Sequence, residues 1–326
     1  MRMPRQGICR GFSCSSRFWA QAMEFFGLSV PLYGWQTVLG SAISGVFLGS
    51  IYALVALGLT LIYGVLHIIN FAHGALLMLA MYGVYFLWHY LGIDPYLAML
   101  IIVPAGFFFG YGLQRYVIGR ASHGKDEIIL LVTLGIAIVI ENGALFFFSA
   151  TERSVRVPYD LDGIDLGVTY AVYPELAALA GSLLITGGLW LFMTRTDTGK
   201  AIRAVARERQ GARLVGINVD HIFAVTFGIG VACVAAAASL LVPTYPVHPQ
   251  IGSLFVLIAF TVVVLGGMGS FVGALIGGLL IGVTEQLGRL YLGESLGLIT
   301  VSVIFILVLL LRPNGLFGQK TGQGPS

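Results

Sequence analysis

Charge is what this 326-residue sequence has least of. Its 18 basic and 15 acidic residues make up 10% of the chain, against about 25% in an ordinary soluble domain. They are also unevenly spread, since residues 25–93 and 221–284 contain no Asp, Glu, Lys or Arg at all. A water-soluble globule does not leave stretches of that length uncharged, so both are read as membrane-embedded. Cysteine is scarce too: Cys9, Cys14 and Cys233 make no disulfide framework, the last lying mid-span. The ten-residue alternation of a transmembrane barrel is missing. H-E-x-x-H is absent, which leaves no support for a metalloprotease. Thr198-Gly199-Lys200-Ala201 imitates the end of a phosphate loop, but Thr194 and Ala201 stand where Walker A needs Gly and Ser or Thr.

What the chain does have is apolar bulk and glycine. Hydrophobic residues reach 57%, mean hydropathy is +0.91, and there are 44 glycines. A crossing needs about 20 helical residues. The apolar runs therefore predict an all-α, polytopic transmembrane bundle of about eight to ten spans, with broken helices and a cytoplasmic loop. The spans read as 36–66, 72–91, 95–114, 128–150, 170–193, 221–243, 252–267, 270–290 and 295–311.

Loop charge sets the orientation. Residues 194–220 hold six basic and three acidic side chains, and residues 151–169 two basic and four acidic, so the former are cytoplasmic and the latter outside. Arg115, Arg120 and Lys125, and the tail with Arg312 and Lys320, agree with this. Basic residues clustered in short loops are a topology signal and do not point to nucleic acid. The misfit is residues 1–24, with Arg2, Arg5, Arg10 and Arg17, which nine crossings send outside. This stretch lacks the apolar core of a signal peptide and is read as a disordered or non-native head, Met23 being an alternative start. Residues 25–318 form the membrane domain and 319–326 a cytoplasmic tail.

Three features stand out. The G-x-x-x-G repeats Gly273–Gly277 and Gly278–Gly282 let helix backbones approach closely, which places the eighth span inside the bundle. Asn70-Phe71-Ala72-His73-Gly74 interrupts a long apolar run with polar groups, either as a satisfied turn or as the lining of a cavity. A lone His there supports no metal site. A weak echo links His73–Met78 with Val272–Gly277, which follows a second break at Gly266-Gly267-Met268-Gly269-Ser270, and broken helices in duplicated halves are where transporters place their path. In residues 194–220, Ala201, Ala204, Val205, Ala212 and Val215 recur near helical spacing among arginines. That pattern predicts a short amphipathic helix or helix pair, either lipid-anchored or docking a partner through its small apolar residues.

Gln210-Gly211-Ala212-Arg213-Leu214-Val215-Gly216 is similar to the E-A-A-x-x-x-G loop of ABC importer permeases. With Asn70–Gly74, Gly266–Ser270 and the closing Arg312-Pro-Asn-Gly-Leu316, in that order, the chain resembles the branched-chain amino acid ABC transporter permeases of the LivH type over about residues 36–318. Gln210 and Gly211 depart from the loop pattern, and Ala75 stands where some relatives have Glu. The family also contains urea and short-amide permeases, so the motifs identify the machine better than its cargo.

The resemblance implies a half-permease of the bacterial inner membrane. Its partners would be a second, LivM-like permease, two ATPase subunits and an extracytoplasmic binding protein. No cofactor is bound by this chain, ATP being used by the partners. The ATPase-coupling loop would be carried by Gly199, Arg203, Arg207, Gln210, Ala212 and Gly216, the last leaving no room for a side chain. The path would run between Asn70, Phe71, His73 and Gly74 and the break at Gly266, Gly267, Gly269 and Ser270, with Glu141 and Glu285 as embedded carboxylates that line it or sit near the outer ends of their spans. The competing class is an ion- or proton-coupled secondary transporter, in which one of these acids would carry the coupling ion.

Overall fold

The computed structural model describes residues 34–121, 126–312 and 315–317. The head, the tail from 318, Lys125, Cys9, Cys14 and Pro313-Asn314 of the closing motif lie outside the described residues.

The helices in chain order are α1 (Trp35–Leu66), α2 (Ala72–Leu91), α3 (Pro95–Leu113), α4 (Asp126–Phe148), α5 (Tyr173–Arg195), α6 (Asp197–Arg207), α7 (Arg209–Leu214), α8 (Val219–Leu241), α9 (Ile251–Gly266), α10 (Phe271–Leu292) and α11 (Gly297–Leu311). α3 runs on through a π-helical turn, Gln114–Ile118. Seven helices are long and apolar enough to cross a membrane, counting α3 with its extension, and α9 and α11 are shorter apolar helices. The nine expected spans are thus all present as helices. The expected fifth begins late: residues 170–172 form strand β2 (Tyr170–Val172), antiparallel to β1 (Gly163–Asp165). The reason is local, since Pro174 sits in the first turn of α5, where its fixed φ starts a helix and its missing N–H costs nothing.

The two loops used for orientation lie at opposite ends of α1. Gly40, near its start, lies against Val168 and Thr169 of the β1–β2 hairpin, the end that loop charge reads as outside. At the other end of α1, Gly64 lies against Gly269 of the α9–α10 turn and Leu66 against the basic loop. The outer loop is tied down by Tyr159, whose hydroxyl donates to Asp94 at 2.5 Å, and by paired backbone bonds between Arg153 and Val247. Burial, and then the Asp94 carboxylate, push the Tyr159 phenol above its ordinary range.

Glycine decides the packing. α1 and α10 run antiparallel so closely that a Cβ on Gly45 would lie 2.5 Å from the Cα of Val283, and one on Gly278 would lie 2.5 Å from the Cα of Ala53. The Gly278–Gly282 repeat is met by Gly45-Val-Phe-Leu-Gly49 on α1, a second G-x-x-x-G. On another face of α1, Gly58 approaches Gly230 of α8. α1 and α8 are consequently almost wholly buried, while α3, α4, α5 and α11 turn large apolar side chains such as Phe108, Phe146, Leu184 and Leu310 outward.

Filling one of these contacts has a predicted cost. Gly282→Leu should destabilise the protein by about 1–3 kcal/mol or more, the usual range for overpacking. Gly135→Leu, on α4 with open space beyond its α carbon, should be neutral. Thermal unfolding of the detergent-solubilised protein, followed by size exclusion, separates the two, and equal behaviour would remove the α1–α10 contact as a determinant.

Candidate functional site

The Asn70–Gly74 break arises because the chain turns back after α1. His67 takes a left-handed conformation, φ 57°, ending α1, and residues 67–71 return along it. The Asn70 side chain then accepts from the Ala72 N–H at 3.1 Å, opening α2. The His73 ring nitrogen Nε2 lies 3.0 Å from the carbonyl of Val55, in the interior of α1. A carbonyl only accepts, so this nitrogen carries the proton. Asn70 and His73 are fully buried, and among the described residues Asn70 Nδ2 and His73 Nδ1 have no partner.

α2 therefore starts at depth, and so does α9. A Cβ on Gly74 would collide with the Gly252 carbonyl, and one on Gly252 with the Gly74 carbonyl. Two helix N-termini, each the positive end of a macrodipole, meet there. Beside them is an open groove between α2, α9 and α4, lined by Phe71, Ala75, Leu134, Glu141, Ser253 and Val256 among others. Of the expected path residues, Phe71 and Glu141 share this groove.

The second break lies elsewhere. Gly266 is pressed against Gly273, Gly267 and Gly269 have φ of 97° and 85°, and the Ser270 hydroxyl accepts from the Gly273 N–H at 3.1 Å. It is a tight reversal between α9 and α10. The N–H groups of Leu316 and Phe317 donate to Leu265 and Gly266, so the closing motif caps the last carbonyls of α9. Gly269 faces a cytoplasmic pocket shared with Thr60, Gly64, Ile202, Arg203 and Ala206. The structure does not bring the two breaks into one cavity. What meets the first break is the start of α9, and its signal was available: Pro243, Pro246, His248, Pro249 and Gln250 interrupt a charge-free stretch.

The basic loop folds as the helix pair α6 and α7. The Thr196 hydroxyl caps α6 by accepting from the Gly199 N–H at 3.0 Å, and Gly199 sits against the carbonyls of Phe192 and Met193. Glu208 caps α7 through the Gln210 N–H. The expected apolar contact face is divided. Val205 and Ala212, with Ile202, are buried against the chain itself, while Ala204 and Val215 are exposed. Leu214 and Val215, 89% and 77% exposed, form an apolar tip, and Arg203, Arg207 and Gln210 are exposed too. Gly216 has φ 87° with open space around it, so within this chain the left-handed backbone, and not crowding, requires glycine. Arg209 donates to the Leu66 carbonyl at 2.7 Å and to His67 Nδ1 at 3.3 Å, and its guanidinium lies over Phe223.

A family described as the permease component of branched-chain amino acid transport systems matches residues 41–311. The chain belongs to this family. The permease is 34% identical to the high-affinity branched-chain amino acid transport system permease protein BraD of Pseudomonas aeruginosa, over 86% of this chain and 96% of that one. It is likewise 34% identical to LivH of Escherichia coli, over 85% and 94%, and 24% identical to LivM of Salmonella typhimurium, over 84% and 69%.

Glu285 of the permease lies in neither cavity described above. Its side chain is 1% exposed, accepts from the Tyr52 hydroxyl at 2.8 Å and pairs with Arg289 at 2.5 Å. Tyr245, on the loop leading to α9, is hydrogen-bonded to Arg289 and stacks edge-on with Phe255. Glu285 thus holds α1, α10 and the entry to α9 together. A buried charge that is paired and hydrogen-bonded on both oxygens is a structural tie of high cost to break.

Accessibility follows from this geometry. In a background with Cys9 and Cys14 replaced by Ser, Phe71→Cys and Ser253→Cys should react with a membrane-impermeant thiol reagent in the conformation described. Ala72→Cys, fully buried, should not. Reaction at Ala72 with protection at Phe71 would show that the groove is not where water reaches.

Proposed function

We propose that this permease is one of two membrane-spanning subunits of an ABC importer that carries branched-chain amino acids, or closely related small amino acids, across the bacterial inner membrane. A second permease, two ATPase subunits on the cytoplasmic face and an extracytoplasmic binding protein complete the machine. ATP is hydrolysed by the partner subunits, and this chain binds no cofactor. The groove at the starts of α2 and α9 is its share of the path.

The observation that carries the reading is Arg209. The loop that would dock the ATPase, with Leu214 and Val215 as its apolar tip, is bonded through Arg209 to the last carbonyl of α1 and to His67, three residues before Asn70. A displacement of the loop by ATP-driven closure therefore pulls on the end of α1 and on the segment that positions the break. Packed helices have discrete arrangements, so such a pull switches the cavity between faces.

Two measurements test this. Arg209→Ala removes two charge-assisted bonds, together about 1.5–3 kcal/mol or more, and should lower uptake per ATP hydrolysed about tenfold in the reconstituted complex, with the subunits still co-purifying. Both bonds come from one nitrogen, Nη2, so Arg209→Lys should restore the coupling in part, lacking only the planar contact over Phe223. Separately, uptake of leucine in proteoliposomes should require ATP and all subunits and should survive a protonophore. Carboxylate-dependent uptake by the purified chain alone, under a proton or sodium gradient without ATP, would overturn the importer reading in favour of a secondary transporter.

A further inference from the structure

Glu141 is the one ionisable side chain that lines the groove, and among the described residues no Lys or Arg pairs with it, the favourable field there being that of the two helix N-termini. It is half-buried on α4, opposite Phe71, Ser253 and Val256. Among the described residues it has neither a hydrogen bond nor an ion pair. The walls cannot supply a cation, because α2 and α9 fall within the stretches without Lys or Arg, and the other acids of α4, Asp126 and Glu127, lie at its opposite end. Apart from Arg115 and Arg120 on the extension of α3 and Arg195 at the end of α5, Arg289 is the sole Lys or Arg in the nine apolar helices, and it is held by Glu285.

An uncompensated carboxylate at membrane depth costs several kcal/mol unless water or a counter-charge reaches it. Beside it and Ser253, the residues Phe71, Ala75, Leu134 and Val256 offer an apolar surface for an aliphatic side chain. A ligand that fits such a site carries one positive charge next to a short hydrocarbon branch.

We propose that Glu141 receives the ammonium group of a transported amino acid, whose side chain lies on the Phe71, Leu134 and Val256 wall. The proposal rests on the importer reading above and adds the residue that selects an α-ammonium. A charge-assisted hydrogen bond to this group would exist while the cargo passes and would be replaced by water when it leaves, so the site holds cargo without trapping it.

The test uses the full reconstituted complex and three probes that share the isobutyl group: L-leucine, 4-methylpentanoate, which lacks the ammonium, and isoamylamine, which lacks the carboxylate. Binding of radiolabelled leucine to the complex without binding protein should be displaced by isoamylamine and about tenfold less well, or worse, by 4-methylpentanoate. Glu141→Gln should weaken leucine binding about tenfold or more, the factor a charge-assisted hydrogen bond is worth. It should also abolish the preference for leucine over 4-methylpentanoate, whereas Glu141→Asp should keep that preference. A purely structural Glu141 would not move this preference. The inference is overturned if the wild-type complex binds no leucine up to millimolar concentration, or if Glu141→Gln retains the preference. It is equally overturned if Glu141→Gln separates the two permease subunits on size exclusion, which would assign the counter-charge to the partner permease. ATP-driven leucine uptake by the wild-type complex is measured alongside. Its absence would count against the importer reading, while its presence with an unchanged Glu141→Gln variant would count against Glu141 alone.

Discussion

Helices in a bilayer gain little by leaving lipid for one another, because lipid tails are as apolar as leucine, so association depends on how closely their backbones can approach. Here that approach is set where α1 meets α10. Gly45, Gly49 and Ala53 on one helix and Gly278 and Gly282 on the other bring main chain against main chain, and the remaining architecture follows from α1 being held there. With one face given to α10, α1 presents Gly58 to α8 and the Val55 carbonyl to His73, which fixes where α2 starts. Gly74 then places Gly252, and with it the start of α9.

α1 is held differently along its length. Near its middle, Tyr52 meets the buried Glu285 and, with the part-exposed Arg289, ties it to α10 and to the loop before α9. At its cytoplasmic end the ties are Arg209 on a terminal carbonyl and on a left-handed histidine, partly exposed and made by a short surface helix. A rod packed against α10 from Gly45 to Ala53 and held by a surface contact at its other end moves, if it moves, at that end.

The apolar helices were legible because hydrophobic length is a strong signal and loop charge orients it: all nine expected spans are helices, and the G-x-x-x-G repeats of α10 do mark a buried contact. Its partner motif on α1 went unread because Gly45 and Gly49 lie within a long uniform apolar run where nothing else marks a face. The site was legible in pieces. Asn70 and Glu141 are polar exceptions in apolar sequence, and such exceptions can be seen without a fold, but which of them share a cavity depends on helix contacts that no local pattern encodes. Glu285 looked like Glu141 in sequence, since both are lone acids late in an apolar span. They differ because Arg289 follows Glu285 by one helical turn and Tyr52 reaches it from another helix, while residues four either side of Glu141 are apolar.

The shortness of α9 bears on how the protein enters the membrane at all. Sixteen residues span about 24 Å at 1.5 Å per residue, less than a hydrocarbon core of about 30 Å. Preceded by a proline-rich segment, α9 is a weak candidate for insertion one segment at a time. The α9–α10 turn answers this, because Gly266 against Gly273 and the Ser270 cap make the two helices a tight hairpin. The translocation machinery would then receive α9 and α10 as one unit, with the longer helix carrying the shorter into the bilayer. The groove beside the start of α9 would come into being only after α10 has been synthesised.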